Sequence, residues 1–199
     1  MSTTATAGSA ESVTDRRTAR ERLLDAANEL FYAEGVHTVG IDRIIEHAGV
    51  AKASLYSTFG SKDELVRAYL AHRHERIRAR VDRHVAAHTD PRERVLAVFD
   101  AQAERFAEPG YRGCAFTAAA AESEPGSAAV EETENYRAWL LDVLTGLCRE
   151  AGAPDPETLG RQLQMVYDGA GLALRIDHSL TAGPDARAAA EALLDGALA

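Results

Sequence analysis

Residues 50–65 constrain this chain more than any other part of its 199-residue sequence. Their pattern predicts a very short helix, a tight break at a glycine, and a second helix whose Ser61 and Glu64 have the spacing of an N-terminal capping box. Lys52 and Lys62 would each occupy the first position of one of these helices, where the helix dipole favours an acidic side chain by about 0.3–1 kcal/mol. Two lysines at such positions indicate an external anion, and the phosphate backbone of DNA is bound by lysines and by helix N-termini.

The residues before this stretch complete a DNA-binding unit. Apolar residues recur at helical spacing in two preceding segments, and Gly35 and Gly49 are natural stops after them. The two apolar stripes are Leu23, Ala27, Leu30 and Phe31, then Ile41, Ile44, Ile45 and Ala48. With Leu55 and Phe59 facing inward from a short third helix, this order is typical of a helix-turn-helix. A recognition helix over roughly residues 52–59 would be about 12 Å long, which suits a major groove about 12 Å wide.

The ordered set of these positions resembles the N-terminal domain of TetR-type repressors over roughly residues 17–70. The resemblance is carried by Leu23-Leu24-Asp25-Ala26-Ala27, Leu30-Phe31, Gly35, Ile41-Asp42-Arg43-Ile44, Ala48-Gly49-Val50, Lys52, Ser54-Leu55-Tyr56, Phe59 and Ser61-Lys62-Asp63-Glu64-Leu65. It implies an all-helical homodimer in which each subunit presents one helix-turn-helix to a palindromic operator. It also implies a C-terminal domain that binds a small molecule and thereby releases the DNA.

Three basic residues are candidate backbone contacts in the DNA-binding unit. Lys52 and Lys62 are predicted to hold phosphates. Arg43, early in the second helix, is predicted to clamp the backbone or to read a guanine. Arg22, at the entry to the first helix, is instead predicted to lie on a solvated helix face.

Five residues of the recognition helix complete the predicted DNA contacts. Ala53 and Ser54 are small, so they let the helix backbone approach base edges, and Ser54 offers a hydroxyl donor or acceptor. Tyr56 and Thr58 are predicted to reach phosphates through their hydroxyls. At Ser57 and Thr58 the chain departs from the aromatic or histidine residues that are frequent in the family.

The net charge of −9 is unusual for a DNA-binding protein, but it is unevenly distributed. Residues 1–89 carry 13 Lys and Arg against 12 Asp and Glu, whereas residues 90–199 carry 9 against 19. No carboxylate occurs between Glu46 and Asp63. The acidity therefore belongs to the half that would face away from DNA.

The chain is expected to work in the cytoplasm. It has no apolar run long enough to span a bilayer and no secretory signal at its N-terminus, so no membrane partner is predicted. Its two cysteines, Cys114 and Cys148, form no disulfide framework and suit a reducing compartment.

Helix breakers divide the remainder of the chain into helices, and no β-type alternation occurs. Residues 1–15 are rich in Ser, Thr, Ala and Gly and are predicted to be a disordered tail. Further helices are predicted over about 62–88, 92–107, 112–122, 128–151, 156–180 and 185–198. The sequence thus predicts an all-α protein of about nine helices, with a DNA-binding domain over 16–62 and an effector-binding and dimerisation domain over 63–199.

Apolar residues in the eighth predicted helix follow a 4-3-4-3 spacing, and glycines thin the helix there. The stripe is Leu159, Leu163, Val166, Ala170 and Ala173. Such a face packs tightly in four-helix arrangements, either against the same chain or against a second copy. The family resemblance favours a dimer interface.

Aromatic and sulfur-containing residues of the C-terminal half are candidates to line the implied ligand cavity. They are Phe99, Phe106, Cys114, Phe116, Tyr136, Trp139, Met165 and Tyr167. His72 and His74, and His84 and His88, are candidate metal pairs, the second at helical spacing. Arginines interleave these four histidines, however, and favour a basic, solvated helix face; they are Arg73, Arg76, Arg78, Arg80 and Arg83. No metal, cofactor or catalytic residue is predicted.

The sequence therefore predicts a transcriptional regulator that responds to a small-molecule effector, acts as a repressor and is not an enzyme. One alternative is an all-α ligand-binding or catalytic protein that retains a vestigial helix-turn-helix. Another is a constitutive architectural DNA-binding protein, in which two thirds of the chain would serve only dimerisation. The lysines placed against two helix dipoles favour the regulator, because a vestigial unit has no reason to keep them.

Overall fold

A computed structural model describes residues 17–199, which form nine α-helices and no strand. The predicted all-α class is confirmed. The helices are α1 (Ala19–Glu34), α2 (Ile41–Ala48), α3 (Lys52–Phe59), α4 (Lys62–Ala86), α5 (Pro91–Phe106), α6 (Ala115–Ala121), α7 (Ala128–Glu150), α8 (Pro156–Ile176) and α9 (Ala182–Leu198). The predicted tail over residues 1–15 lies outside the described residues. No helix within residues 17–199 is long and apolar enough to cross a membrane.

The start of α9 differs from the sequence prediction. The segment around Pro184 was expected to separate two helices, but α9 already begins at Ala182. Proline is tolerated in the first turn of a helix, because a backbone N–H at that position has no intrahelical partner. Gly183 allows α9 to approach α5 closely, since a Cβ atom at this position would lie 2.9 Å from the Cβ atom of Ala103.

Two helix starts near the DNA-binding unit are capped by side chains. Thr18 and Glu21 form a complete capping box at α1, in which each side chain bonds to the other residue's backbone. At α4 the Ser61 hydroxyl accepts a hydrogen bond from the Glu64 N–H at 3.1 Å. The Glu64 carboxylate accepts instead from Nε of Arg67 at 3.3 Å. Of the capping box predicted at α4, the bond to the Ser61 hydroxyl is therefore present, and the Glu64 carboxylate bonds to Arg67 in place of the Ser61 backbone.

Helix α4 joins the N-terminal helices to the rest of the core. Near its start Leu65 and Leu70 are fully buried, and the ring of Tyr69 lies 5.5 Å from that of Phe31 on α1. Its later turns pack against α5 and α7. Helices α8 and α9 pack against α7 and α5 in turn. Complete burial of one such leucine contributes about 1.5–3 kcal/mol. One continuous core therefore connects the first three helices with the C-terminal helices.

Helix α8 has two apolar faces, and only one of them packs within the chain. The buried face carries Leu159, Leu163 and Ala170. These residues belong to the stripe that was favoured as a dimer interface. That interpretation was wrong, because they pack against the neighbouring helices of the same chain. On the other face Met165, Leu172 and Ile176 are 69%, 62% and 61% exposed.

Candidate DNA-binding surface and ligand cavity

The turn between α2 and α3 is fixed by backbone geometry. Gly49 has φ +61°, in the left-handed region, and its N–H bonds back to the last turn of α2. The Val50 N–H donates to the carbonyl of Ile45 at 3.1 Å. Nη1 of Arg22 on α1 donates to the Gly49 carbonyl at 3.2 Å. Arg22 is therefore a structural residue of the turn, not the solvated side chain predicted from the sequence.

Helix α3 separates buried from exposed residues along its length. Leu55 is completely buried and Phe59 is half-buried, so these two side chains anchor the helix. Besides Lys52 at its start, the exposed residues are Ala53, Tyr56, Ser57 and Thr58, with Ser54 half-buried beside them. The hydroxyls of Ser57 and Thr58 both donate to the Ser54 carbonyl, at 3.1 and 2.6 Å. The five predicted recognition residues therefore share one small, hydroxyl-rich surface.

Two of the predicted phosphate contacts already have carboxylate partners. Nζ of Lys52 lies 2.8 Å from Oδ1 of Asp42, and Nη2 of Arg43 lies 2.7 Å from Oε1 of Glu34. The Asp42 carboxylate raises the pKa of Lys52, and the Glu34 carboxylate raises that of Arg43. Both pairs are well exposed, so a phosphate can replace either carboxylate at low cost.

Lys62 lies in a different environment from Lys52. Its side chain is half-buried, Nζ lies 6.0 Å from the centroid of the Phe31 ring, and it donates to the His37 carbonyl at 3.4 Å. Burial lowers the pKa of this lysine. Lys62 thus joins the start of α4 to the end of α1 and the loop after it.

A cavity of about 310 Å³ lies among α4, α5, α6, α7 and α8. Its aromatic wall includes Phe106, Tyr111, Phe116, Tyr136 and Tyr167. The rings of Phe116 and Tyr136 stack with centroids 4.2 Å apart. Five of the eight predicted cavity residues line it: Phe106, Cys114, Phe116, Tyr136 and Tyr167.

The other three predicted cavity residues lie elsewhere. Phe99 is completely buried in the core behind Tyr167, with ring centroids 6.1 Å apart. Trp139 packs against the imidazole of His74, at 4.9 Å between centroids. Met165 is on the exposed face of α8. Helical spacing identifies an apolar face, but it does not distinguish a cavity wall from solid core.

The cavity also has a strongly cationic lining. The arginines are Arg73, Arg105, Arg137 and Arg175, against a single lining carboxylate, Asp168. Arg137 is paired with Asp168 at 2.6 Å, and Arg105 with Glu108 at 3.3 Å. Arg73 is 8% exposed, and its burial lowers its pKa.

The cavity wall also carries neutral polar groups. Burial raises the pKa of Tyr167 to about 12, and that of Tyr136 well above its usual value, so both phenols keep their protons. Nε2 of Gln102, on α5, donates to the Tyr167 carbonyl at 2.8 Å. Its Oε1 is buried without a hydrogen-bond partner.

Two histidines of α4, His74 and His84, contact aromatic rings and a carboxylate. Nε2 of His84 lies 2.5 Å from Oε2 of Glu104, and His74 lies among the rings of Phe116, Tyr136 and Trp139. Across residues 17–199 no group of three or more His, Cys, Asp and Glu side chains is placed to hold a metal ion. Burial raises the pKa of Cys148 to about 11, which makes that thiol unreactive.

Sequence reasoning missed Arg73 and Gln102. Arg73 was grouped with the neighbouring arginines of α4 as part of a solvated face. A signal was available, since Leu65, Tyr69, Arg73 and Ile77 recur every four residues and so continue the buried stripe of α4. No local pattern marked Gln102, because its role depends on which turn of α5 meets the cavity.

The fold and the exposed α3 surface define a helix-turn-helix transcriptional regulator. Residues 23–69 match the family of bacterial regulatory proteins of the tetR type. The chain is 36% identical to the solved structure of SCO4454, a TetR-family transcriptional regulator from Streptomyces coelicolor. That match covers 91% of this chain and 96% of the other, with a TM-score of 0.86. The chain belongs to the TetR family of transcriptional regulators.

Two curated regulators each resemble about two fifths of the chain. The HTH-type transcriptional activator FasR of Mycolicibacterium smegmatis is 39% identical over 82 residues, or 41% of this chain. The HTH-type transcriptional regulator LmrA of Bacillus subtilis is 37% identical over 79 residues, or 39% of this chain. These matches span 37% and 42% of the two relatives' own lengths.

Proposed function

We propose that this TetR-family protein is a repressor that binds a palindromic operator as a homodimer and leaves it when a small molecule occupies the cavity. The observation that carries the proposal is the exposed α3 surface. Its side chains are small or hydroxyl-bearing, they stand on a buried Leu55, and Lys52 is at the N-terminal end of the helix. Such a helix can enter a major groove without steric obstruction.

In this proposal each part of the surface has a distinct role. Lys52 and Arg43 exchange their carboxylate partners for phosphates, while Ala53 and Ser54 approach base edges. Tyr56, at 46% exposure, reaches the backbone through its hydroxyl. The remaining hydroxyls, on Ser57 and Thr58, turn from the Ser54 carbonyl towards phosphate. Lys62 lies at the start of α4, directly after the recognition helix α3, and contributes to backbone binding from that position.

The exposed face of α8 supports the homodimer. Met165, Leu172 and Ile176 form an apolar row on one side of that helix. Small residues, Ala189, Ala192 and Gly196, are exposed on the neighbouring α9. Two copies that bring these faces together would bury a row of large apolar side chains between helices of close approach.

The length of α4 supports the release mechanism. The helix has 25 residues, which corresponds to roughly 37 Å, with Lys62 at one end and Arg73 and Ile77 at the cavity. An effector can shift DNA binding only through different affinities for two positions of this helix. Recognition helices in a dimer must match major grooves about 34–36 Å apart, so a tilt of α4 would end the match.

The experiment starts with selection of bound duplexes from fragmented genomic DNA by the purified full-length protein. Affinity for the selected site is then measured against salt concentration for the wild type, Lys52→Ala and Arg149→Ala. Lys52→Ala should weaken binding and reduce the salt slope by about 1. Arg149→Ala, an equally exposed cation on α7, is the control and should change neither.

Two results would contradict the proposal. Failure to enrich any site, with equal affinity for all duplexes, would favour the vestigial helix-turn-helix of an all-α protein with another function. The second result comes from a reporter placed under the selected site. If its expression falls when the gene for this protein is deleted, the protein is an activator, as the relative FasR is named. A repressor instead requires expression to rise on deletion.

A further inference from the structure

The cavity contains a buried cation without a counter-charge. Among residues 17–199 no carboxylate lies within 4.0 Å of the Arg73 guanidinium, and its Nε is buried without a hydrogen bond. Its contacts are aromatic: the guanidinium carbon lies 3.7 Å from the ring centroid of Tyr32 and 5.2 Å from that of Tyr69. An unpaired buried cation is costly, so its presence on a cavity wall indicates a ligand that supplies the anion.

Gln102 adds a second, independent polar anchor. The bond from its Nε2 to the Tyr167 carbonyl fixes the orientation of the amide, because a carbonyl accepts only from the NH₂ group. Its Oε1 is then an acceptor. The residue is 6% exposed, it lines the cavity, and this oxygen has no partner. An O–H or N–H group of a ligand that reaches this oxygen would satisfy it.

The other charges around the cavity do not compete for this role. Arg137 and Arg105 have carboxylate partners, in Asp168 and Glu108. Arg175 is exposed at the rim, where water solvates it. Arg73 is thus the cation of the described cavity wall that is both buried and unpaired.

We infer that the effector of the proposed repressor is a small aromatic acid with a hydroxyl or N–H group, whose carboxylate binds Arg73 and whose donor binds Oε1 of Gln102. This inference rests on the proposed function for the biological role of the site. A planar guanidinium binds a carboxylate through two parallel hydrogen bonds. The stacked Phe116 and Tyr136 rings offer an aromatic surface, and a cavity of about 310 Å³ has room for a ligand of about two fused rings.

The same arginine connects the ligand to the DNA-binding unit. Tyr32, whose ring lies against the Arg73 guanidinium, belongs to α1. A carboxylate that draws the guanidinium into the cavity would loosen this contact. The carboxylate therefore contributes binding energy and also weakens the contact between Tyr32 of α1 and Arg73 of α4.

The test uses isothermal titration calorimetry of the full chain with naphthoate, a set of hydroxynaphthoate isomers, and the uncharged amides of each. Acids should bind the wild type at least about tenfold more tightly than their amides. At least one hydroxy isomer should bind more tightly than naphthoate. Equal affinities for acids and amides, or no binding of any probe, would overturn the inference.

Substitutions at Arg73 and Gln102 test which residue binds the carboxylate of the ligand and which binds its hydroxyl group. Arg73→Met should abolish the preference for acids, and Arg73→Lys should retain part of it. Gln102→Leu should abolish the preference for the hydroxy isomer while leaving the preference for acids. Arg80→Met is the matched control, because Arg80 is on the same helix and 9% exposed but is paired with Glu104 and Glu108. An acid preference that survives in Arg73→Met, or disappears in Arg80→Met, would contradict the assignment.

Operator binding separates this inference from the proposed function. If a hydroxynaphthoate binds through Arg73 and operator affinity falls in its presence, both are supported. If it binds through Arg73 and operator affinity is unchanged, the ligand class holds and the release mechanism is wrong. If operator binding is normal and no acid is preferred, the ligand class is wrong and the DNA-binding function holds.

Discussion

The guanidinium of Arg73 stacks on the ring of Tyr32, with 3.7 Å between the guanidinium carbon and the ring centroid. The Tyr32 hydroxyl donates to the Gly113 carbonyl at 3.0 Å and accepts from the Arg112 N–H at 2.8 Å. One side chain of α1 therefore touches both α4 and the loop that leads into α6. Both segments carry residues of the cavity wall.

Tyr32→Phe should separate these two contacts, because phenylalanine keeps the stack on Arg73 and loses both hydrogen bonds. The free energy of unfolding should fall by about 1 kcal/mol. Operator affinity without ligand should change little, while the loss of affinity caused by a saturating acid should become smaller. Chemical denaturation and operator titrations with and without ligand measure the two effects. An unchanged ligand response would show that the hydroxyl does not transmit the signal.

Arg73→Met should raise the free energy of unfolding in the absence of ligand. The substitution removes an uncompensated buried charge and keeps a long apolar side chain against Tyr32 and Tyr69. The expected gain is of the order of 1 kcal/mol, measured by chemical denaturation. A comparable loss of stability would mean that the stack on the two rings outweighs the desolvation of the cation.

Asp42→Asn should strengthen operator binding, because the Asp42 carboxylate competes with phosphate for Lys52. An exposed ion pair of this kind corresponds to about a two- to fivefold change in affinity. The same substitution in a Lys52→Ala background separates competition from general charge repulsion. A gain of equal size in that background would show that Asp42 acts on DNA directly and not through Lys52.

Met165→Arg should produce monomers without unfolding the chain, since Met165 is exposed in the protomer and lies outside the cavity wall. Sedimentation at micromolar concentration measures the association state, and circular dichroism measures the fold. Ala170→Arg is the contrasting variant, because Ala170 is buried within the chain and the charge should lower the thermal midpoint. A Met165→Arg protein that remains dimeric would place the interface elsewhere.

Stability should fall with acidification through His74. Burial among aromatic rings, together with the charge of Arg78, lowers the pKa of this histidine in the folded state. In the unfolded chain this histidine titrates near pH 6.5. Below that value the unfolded state therefore binds more protons at this position than the folded state does. The free energy of unfolding should therefore decrease from about pH 6.5 downwards. His74→Phe should flatten this part of the profile, and the exposed His88→Phe should retain it.

The N-terminal helices were predictable from the sequence because their signals are local. Gly35, Gly49 and Ser61 mark ends and starts within a few residues of the helices that they bound. The pair of Lys52 and Asp42 was not predictable in this way, because it joins residues ten positions apart across the glycine turn.

The C-terminal half shows why periodicity alone was insufficient. Both faces of α8 are apolar, so spacing could not decide which face is buried within the chain. The structure buries Leu163 and exposes Leu172, and the reason lies in the positions of α7 and α9. Arg73 presented the same difficulty in the opposite sense, since a charged residue gives no sign of burial unless the apolar stripe around it is followed.

The carboxylates of Asp42 and Glu34 also affect how the protein would search a chromosome. A random duplex offers phosphates to Lys52 and Arg43, but it must first displace these carboxylates and provides no base-edge contacts in return. Non-specific DNA should therefore bind fewer copies of this protein than of one whose Lys52 and Arg43 had no carboxylate partners. Because competing sites in a genome number in the millions, a small weakening at each one leaves many more molecules free to occupy the operator.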